Sequence, residues 1–181
     1  MSQTPIAALI AAALLFFWMV GAYNRLVRLR NAIAAAWSQF DAHLQRRAAA
    51  LPGLLEALRS AMAAEGSTMD SVAAAQRQVQ SAADAMRGVP VRPDAAAALV
   101  VAIGQLDSTL TRLLSLLDQH PDLRALDAVA APLRELHDVD LRLAFARQLF
   151  NVAAEDYNAA VDQFPTRLLV GFFRFGQAGR L

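Results

Sequence analysis

Residues Ile6 to Ala22, IAALIAAALLFFWMVGA, form seventeen apolar positions in a row, and no charged side chain precedes Arg25. At about 1.5 Å rise per residue, a helix of this length runs roughly 25 Å, against a hydrocarbon core about 30 Å thick. It has no polar face, so it cannot serve as a half-exposed helix on a soluble core. The expectation is a tail and transmembrane anchor over residues 1–24, with Ile6, Leu9, Leu14, Phe16, Phe17, Trp18 and Val20 in lipid. Pro5 suits a first helical turn, where its missing N–H costs nothing. Trp18 and Tyr23 suit the far interface. The competing reading is a cleaved signal peptide, because Val20-Gly21-Ala22 is a small-x-small site. Against it, MSQTP carries no basic side chain and the apolar run exceeds a usual h-region. Cleavage would release an exported, periplasmic protein.

Arg25, Arg28 and Arg30 flank the run on its C-terminal side only. Near an anionic surface each gains about 1 kcal/mol, so these three are expected at lipid headgroups. The positive-inside bias then puts residues 25–181 in the cytoplasm, on a single-pass protein.

Beyond the anchor, apolar residues recur at helical spacing. Leu26, Leu29, Ile33, Trp37, Phe40, Leu44, Ala48, Leu51, Leu55, Leu58 and Met62 hold one face, and the phase survives Pro52. Pro52 therefore predicts a kink that loses a bond to the Ala48 carbonyl, not a helix end. Gly66 is expected to close this helix, with Ser67 and Asp70 capping the next. Met69, Val72, Gln76, Val79, Ala83 and Met86 mark the second seam. GVPVRP at 88–93 is a breaker, after which Asp94 is expected to cap a third helix along Leu99, Ile103, Leu106, Leu110, Leu113 and Leu117. His120-Pro121 ends it, and Asp122 is expected to open a long fourth helix along Leu126, Val129, Leu133, Leu136, Val139, Leu143, Ala146, Phe150, Ala153, Tyr157, Val161 and Phe164. Phe164-Pro165 stops that one. No stretch reads as a strand. The fold class is all-α: the anchor helix continues into an antiparallel bundle of four long helices.

LLVGFFRFG (168–176) is too short to span a bilayer and too apolar for a tail. It is read first as a short C-terminal capping helix on the bundle. The alternative is that Leu168, Phe172, Phe173 and Phe175 touch the membrane or a partner. Antiparallel packing supports this, because it returns the fourth helix to the membrane end.

Little here points to chemistry. Cysteine is absent, which excludes disulfides, thiolate metal sites and a lipidated anchor. All seventeen basic residues are arginine, so a phosphate loop with its lysine is impossible. His43, His120 and His137 lie on separate segments without metal-ligand spacing, and His137 beside Asp138 and Asp140 reads as a solvated face. Glu155-Asp156 reads the same way. No cofactor or metal is expected, and the chain reads as non-enzymatic. A net charge of +1 and no interleaving of aromatic with basic residues argue against nucleic acid. The expected partners are the bilayer and an unidentified protein. Coiled-coil seams also leave homo-oligomers open.

YNRLVRLRNAIAAAWSQFDAHLQRR (23–47), LPGLLEAL (51–58), HPDLRAL (120–126) and ARQLFNVAAEDYNAAVDQFPTRLLVGFF (146–173) follow a single apolar segment in this order. Together they resemble the LemA family of bacterial membrane proteins. Tyr23-Asn24, Trp37, Pro52, Pro121-Asp122-Leu123, Tyr157-Asn158 and Phe164-Pro165-Thr166 carry the resemblance. Arg167 stands where the family usually has Asn, Val139-Asp140 replaces a Glu-Asn pair, and GVPVRP is this chain's own. The resemblance implies a single-pass anchor, a LemA-like bundle over 25–181 and no assigned enzymatic activity. A scaffold role, or an adaptor to a membrane protease or transporter, fits that frame.

Overall fold

The computed structural model describes residues 3–164, 166–167 and 175–181. Its first helix, α1 (Gln3–Ala61), is unbroken from the apolar run into the bundle. At about 1.5 Å per residue it is close to 90 Å long. Pro52 lies inside it, on an exposed side where its missing N–H leaves no buried carbonyl without a partner. Then come α2 (Gly66–Gly88), α3 (Pro93–Leu117), the single turn α4 (Pro121–Arg124) and α5 (Asp127–Asp162). No strand occurs among the described residues.

Most of the expected seam positions are buried. Leu26, Ile33, Trp37, Phe40, Leu44, Leu51, Leu55 and Leu58 are buried on α1 and Met62 just beyond it, and Leu136, Val139, Leu143, Ala146, Phe150, Tyr157 and Val161 on α5; Leu126 and Phe164, expected on the last seam, are exposed because they lie outside α5. Phe150 meets Trp37 edge-on, with ring centroids 6.3 Å apart at 74°. Each such large side chain contributes about 1.5–3 kcal/mol by leaving water. The helices pack chiefly as two antiparallel pairs, α1 with α5 and α2 with α3, joined along α1 and α2. Arg25 donates to Gln163 at 3.0 Å and Arg47 reaches Asp140, so α5 descends as α1 climbs. Arg87 reaches Asp41 and Arg59 reaches Asp70, which sets the same opposition between α1 and α2.

The expected helix ends need correction. α1 stops at Ala61, a 3-10 turn covers Ala63–Glu65, and Gly66 starts α2 instead of closing α1. The N-cap is Glu65 without a side-chain bond, so Ser67 and Asp70 do not form a capping pair. Asp70 takes Arg59 instead, at 2.9 Å. Pro93 occupies the first turn of α3 and moves the cap back to Arg92, which leaves Asp94 one position inside, paired with Arg92. The fourth long helix does not start at Asp122. Pro121–Arg124 forms its own turn, and extended backbone at Leu126 separates it from α5.

The capping-helix reading falls on residues 168–174, outside the described residues. Residues 175–181 are not helical. Asn158 accepts from the Ala178 N–H at 2.7 Å and donates to its carbonyl at 3.0 Å. Asn151 makes the same double contact with Leu181, at 2.8 and 2.7 Å. Seven residues of helix rise about 10.5 Å, and three residues of chain cover that only when extended. Residues 176–181 are thus an extended strap running antiparallel to α5. The Gly179 N–H donates to the Val91 carbonyl, tying the strap to the α2–α3 turn. A Cβ on Gly179 would fall 2.7 Å from Pro93 Cα and 2.6 Å from Ala96 Cβ. Because the nearest backbone cannot yield cheaply, Gly179→Val is expected to lower stability by about 1–3 kcal/mol. Thermal unfolding of the detergent-solubilised full chain checks this, and an unchanged midpoint would show that the strap is not held there.

Candidate functional site

Most of the residues expected in the anchor are left uncovered by the described residues. Ile6, Leu9, Leu14, Phe16, Phe17 and Val20 are exposed, between 40% and 73%, while Trp18 is half-buried. Such a row of apolar side chains is stable only against lipid or another apolar surface. Arg25, Arg28 and Arg30 are exposed and point to different sides of α1, as helical spacing requires. Arg25 is partly engaged by Gln163. Phe175 is half-buried with its ring centroid 5.8 Å from that of Tyr23, so the start of the strap lies beside the end of the apolar run. Leu168, Phe172 and Phe173 lie outside the described residues.

The three histidines stay apart, and among the described residues no group of three His, Asp or Glu is placed to hold a metal. Burial pushes the His43 imidazole down, helped by Arg46 and Arg142. Glu155 takes Arg180 at 2.6 Å and so belongs to the strap's attachment.

Residue patterns alone missed a groove between α3 and α5. These helices do not pack closely on each other, and a space of about 810 Å³ opens between them. Its floor is Phe40 and Arg47 of α1, and its walls include Ile103, Leu110, Leu136 and Leu143. Arg47 is the buried hub, only 4% exposed. Its Nη2 donates to Asp107 Oδ1 at 2.5 Å, and its Nε lies 3.0 Å from Asp140 Oδ1. One guanidinium thus joins α1, α3 and α5. Nε and Nη1 have no aligned hydrogen-bond acceptor among the described residues. In the sequence, Arg47 sits one place before Ala48, at the edge of the seam, and only this offset hinted that it turns inward.

Burial holds the Asp140 carboxyl above its usual range; Arg47 opposes the rise and Asp107 adds to it. The native state therefore keeps this proton to higher pH than the unfolded chain. The stability from this group is full below the unfolded carboxylate range and lost as pH rises through the folded pKa. Asp140→Asn removes that loss. Urea midpoints are expected to fall less between acid and neutral pH in the variant than in the parent, and equal slopes would reject the assignment.

Comparison with known sequences agrees with this architecture. The profile of the LemA family matches residues 36–180, which takes in α1 from Ala36 onward, every later helix and the strap as far as Arg180. The magnetosome protein MamQ of Magnetospirillum gryphiswaldense is 31% identical over 80 residues, covering 42% of this chain and 29% of MamQ. The chain thus aligns with less than a third of that relative's length. With the last part of α1, the three later long helices, the clamp asparagines and Gly179 inside the matched region, which covers most of the chain, the chain belongs to the LemA family.

Proposed function

We propose that this protein is a single-pass, membrane-anchored helical bundle with a non-catalytic interaction or scaffold role at the bacterial inner membrane. Residues 1–24 are the tail and anchor, and residues 25–181 the bundle. The observation that carries the reading is the wholly uncovered apolar row from Ile6 to Phe17 on the same unbroken helix that forms the bundle core. Family membership and the similarity to MamQ support membrane association. Helical continuity through Val20-Gly21-Ala22 favours an anchor over a cleaved leader. Arg25, Arg28 and Arg30 would meet headgroups and hold the bundle on the cytoplasmic side. The apolar segment around Leu168, Phe172, Phe173 and Phe175 would lie near the same surface, supported by the Phe175–Tyr23 contact. The non-catalytic reading is supported by the pairing of several groove side chains with one another: Arg47 with Asp107 and Asp140, and Arg124 with Asp118.

Two measurements test this. The full chain is expected to remain with membranes after alkaline carbonate extraction. Leu9→Asp with Leu14→Asp adds roughly 2.5–3.5 kcal/mol of insertion cost per residue near the bilayer centre and should release it. Release of the parent chain would reject the anchor. For orientation, the native absence of cysteine makes Ser115→Cys, on exposed α3 surface, a unique label. An impermeant maleimide is expected to react only after lysis, and labelling of intact cells would place the bundle outside.

A further inference from the structure

The strap and the groove share their walls. On α5 the strap is held by Asn158, Asn151 and Glu155. Whole helical turns toward the start of α5 lead from these positions to Arg147, Ala144, Asp140 and His137, all of which line the groove. On α3 the strap rests against Pro93 and Ala96. Ile103, Leu110 and Leu114 continue that face and also line the groove. A single channel therefore runs between α3 and α5. Residues 176–181 fill its anchor-side end, and beyond Leu181 it stays open from Arg147 to Ala130. Those seventeen residues of helix span about 25 Å, the length of seven or eight extended residues.

We infer that the open part of this channel binds an extended peptide of a partner protein, laid end to end with the chain's own strap. The inference rests on the interaction reading above and names its docking surface. The strap shows what the channel accepts: extended backbone against α5 on one side and α3 on the other. The charges specify the ligand further. Arg124 is paired with Asp118, and Arg47 with Asp107 and Asp140. Arg147, beside the strap's end, and Arg134, toward the far end, have no carboxylate partner among the described residues. They are thirteen residues apart, about 20 Å along the helix, or roughly six extended residues. Between them Leu136 and Leu143 of α5 and Ile103 and Leu110 of α3 give the walls an apolar part, while Asp138 and Asp140 repel further acid. The ligand is an extended segment with an acidic residue near each end and an apolar centre, the two acids about six residues apart.

The test uses the full chain in lipid nanodiscs, panned against a random dodecapeptide library with empty nanodiscs as counter-selection. Recovered peptides are expected to carry two acidic residues about six apart around an apolar centre. Ala144→Trp, at an exposed position on the channel wall, should abolish their binding. Arg147→Glu should weaken it by about tenfold or more, the worth of one charge-assisted contact. Phe145→Ser, on the outward face of the same helix, should leave it unchanged. No enrichment, enrichment of basic peptides, or binding that survives Ala144→Trp would each overturn the inference. So would a dimer in detergent that Ala144→Trp converts to monomer, because the channel would then hold a second copy. Carbonate extraction is independent of these outcomes, so failure of the channel and failure of the anchor are told apart.

Discussion

Every level of this molecule is measured along α1. The helix carries an uncovered apolar stretch and a buried seam in one unbroken hydrogen-bonded rod, and each other element takes its height from that rod. α5 is placed by Arg25, Trp37 and Arg47, and α2 by Asp41 and Arg59. A break at Pro52 would have cut this common ruler. It does not break, because Pro52 faces solvent while Leu51, Leu54, Leu55 and Leu58 hold both sides of it in the core.

Apolar seams repeat, so alone they tolerate sliding by a turn or a heptad. Two buried charges on α1 remove that freedom. Asp41 accepts both forks of Arg87 at 2.8 Å and so sets α2, while Arg47 sets α3 and α5 together. A buried charge deprived of its partner costs about 3–5 kcal/mol, more than a slipped apolar contact, so the polar pairs fix register while the seams supply most of the stability.

The helices and their buried faces were legible because a 3.6-residue period needs no knowledge of the partner. Leu26 to Met62 and Leu136 to Val161 could be placed by counting. Helix ends were less legible. Ser67 and Asp94 look like caps, yet a 3-10 turn and Pro93 moved each start, and Asp70 pairs with Arg59 instead of capping. The groove and strap were not legible at all. Arg46-Arg47 reads as two surface charges until the helix's rotation is known. Asn151 and Asn158 lie seven apart on one face, but nothing local says that they clamp a segment twenty to thirty residues onward. The outward apolar row Leu141, Phe145, Leu149 and Val152 was also missed, because one period-3.6 stripe on α5 hid a second.

The α2–α3 hairpin is shorter than the pair it joins. Its turn comes just after Arg87, which pairs with Asp41, so from Tyr23 upward α1 has only the end of α5 and the strap beside it, among the described residues, for about 20 Å. Among the described residues, a sideways load on this length of α1 is therefore shared by α5 and an extended tie, and that tie is fastened to the α2–α3 turn at Gly179.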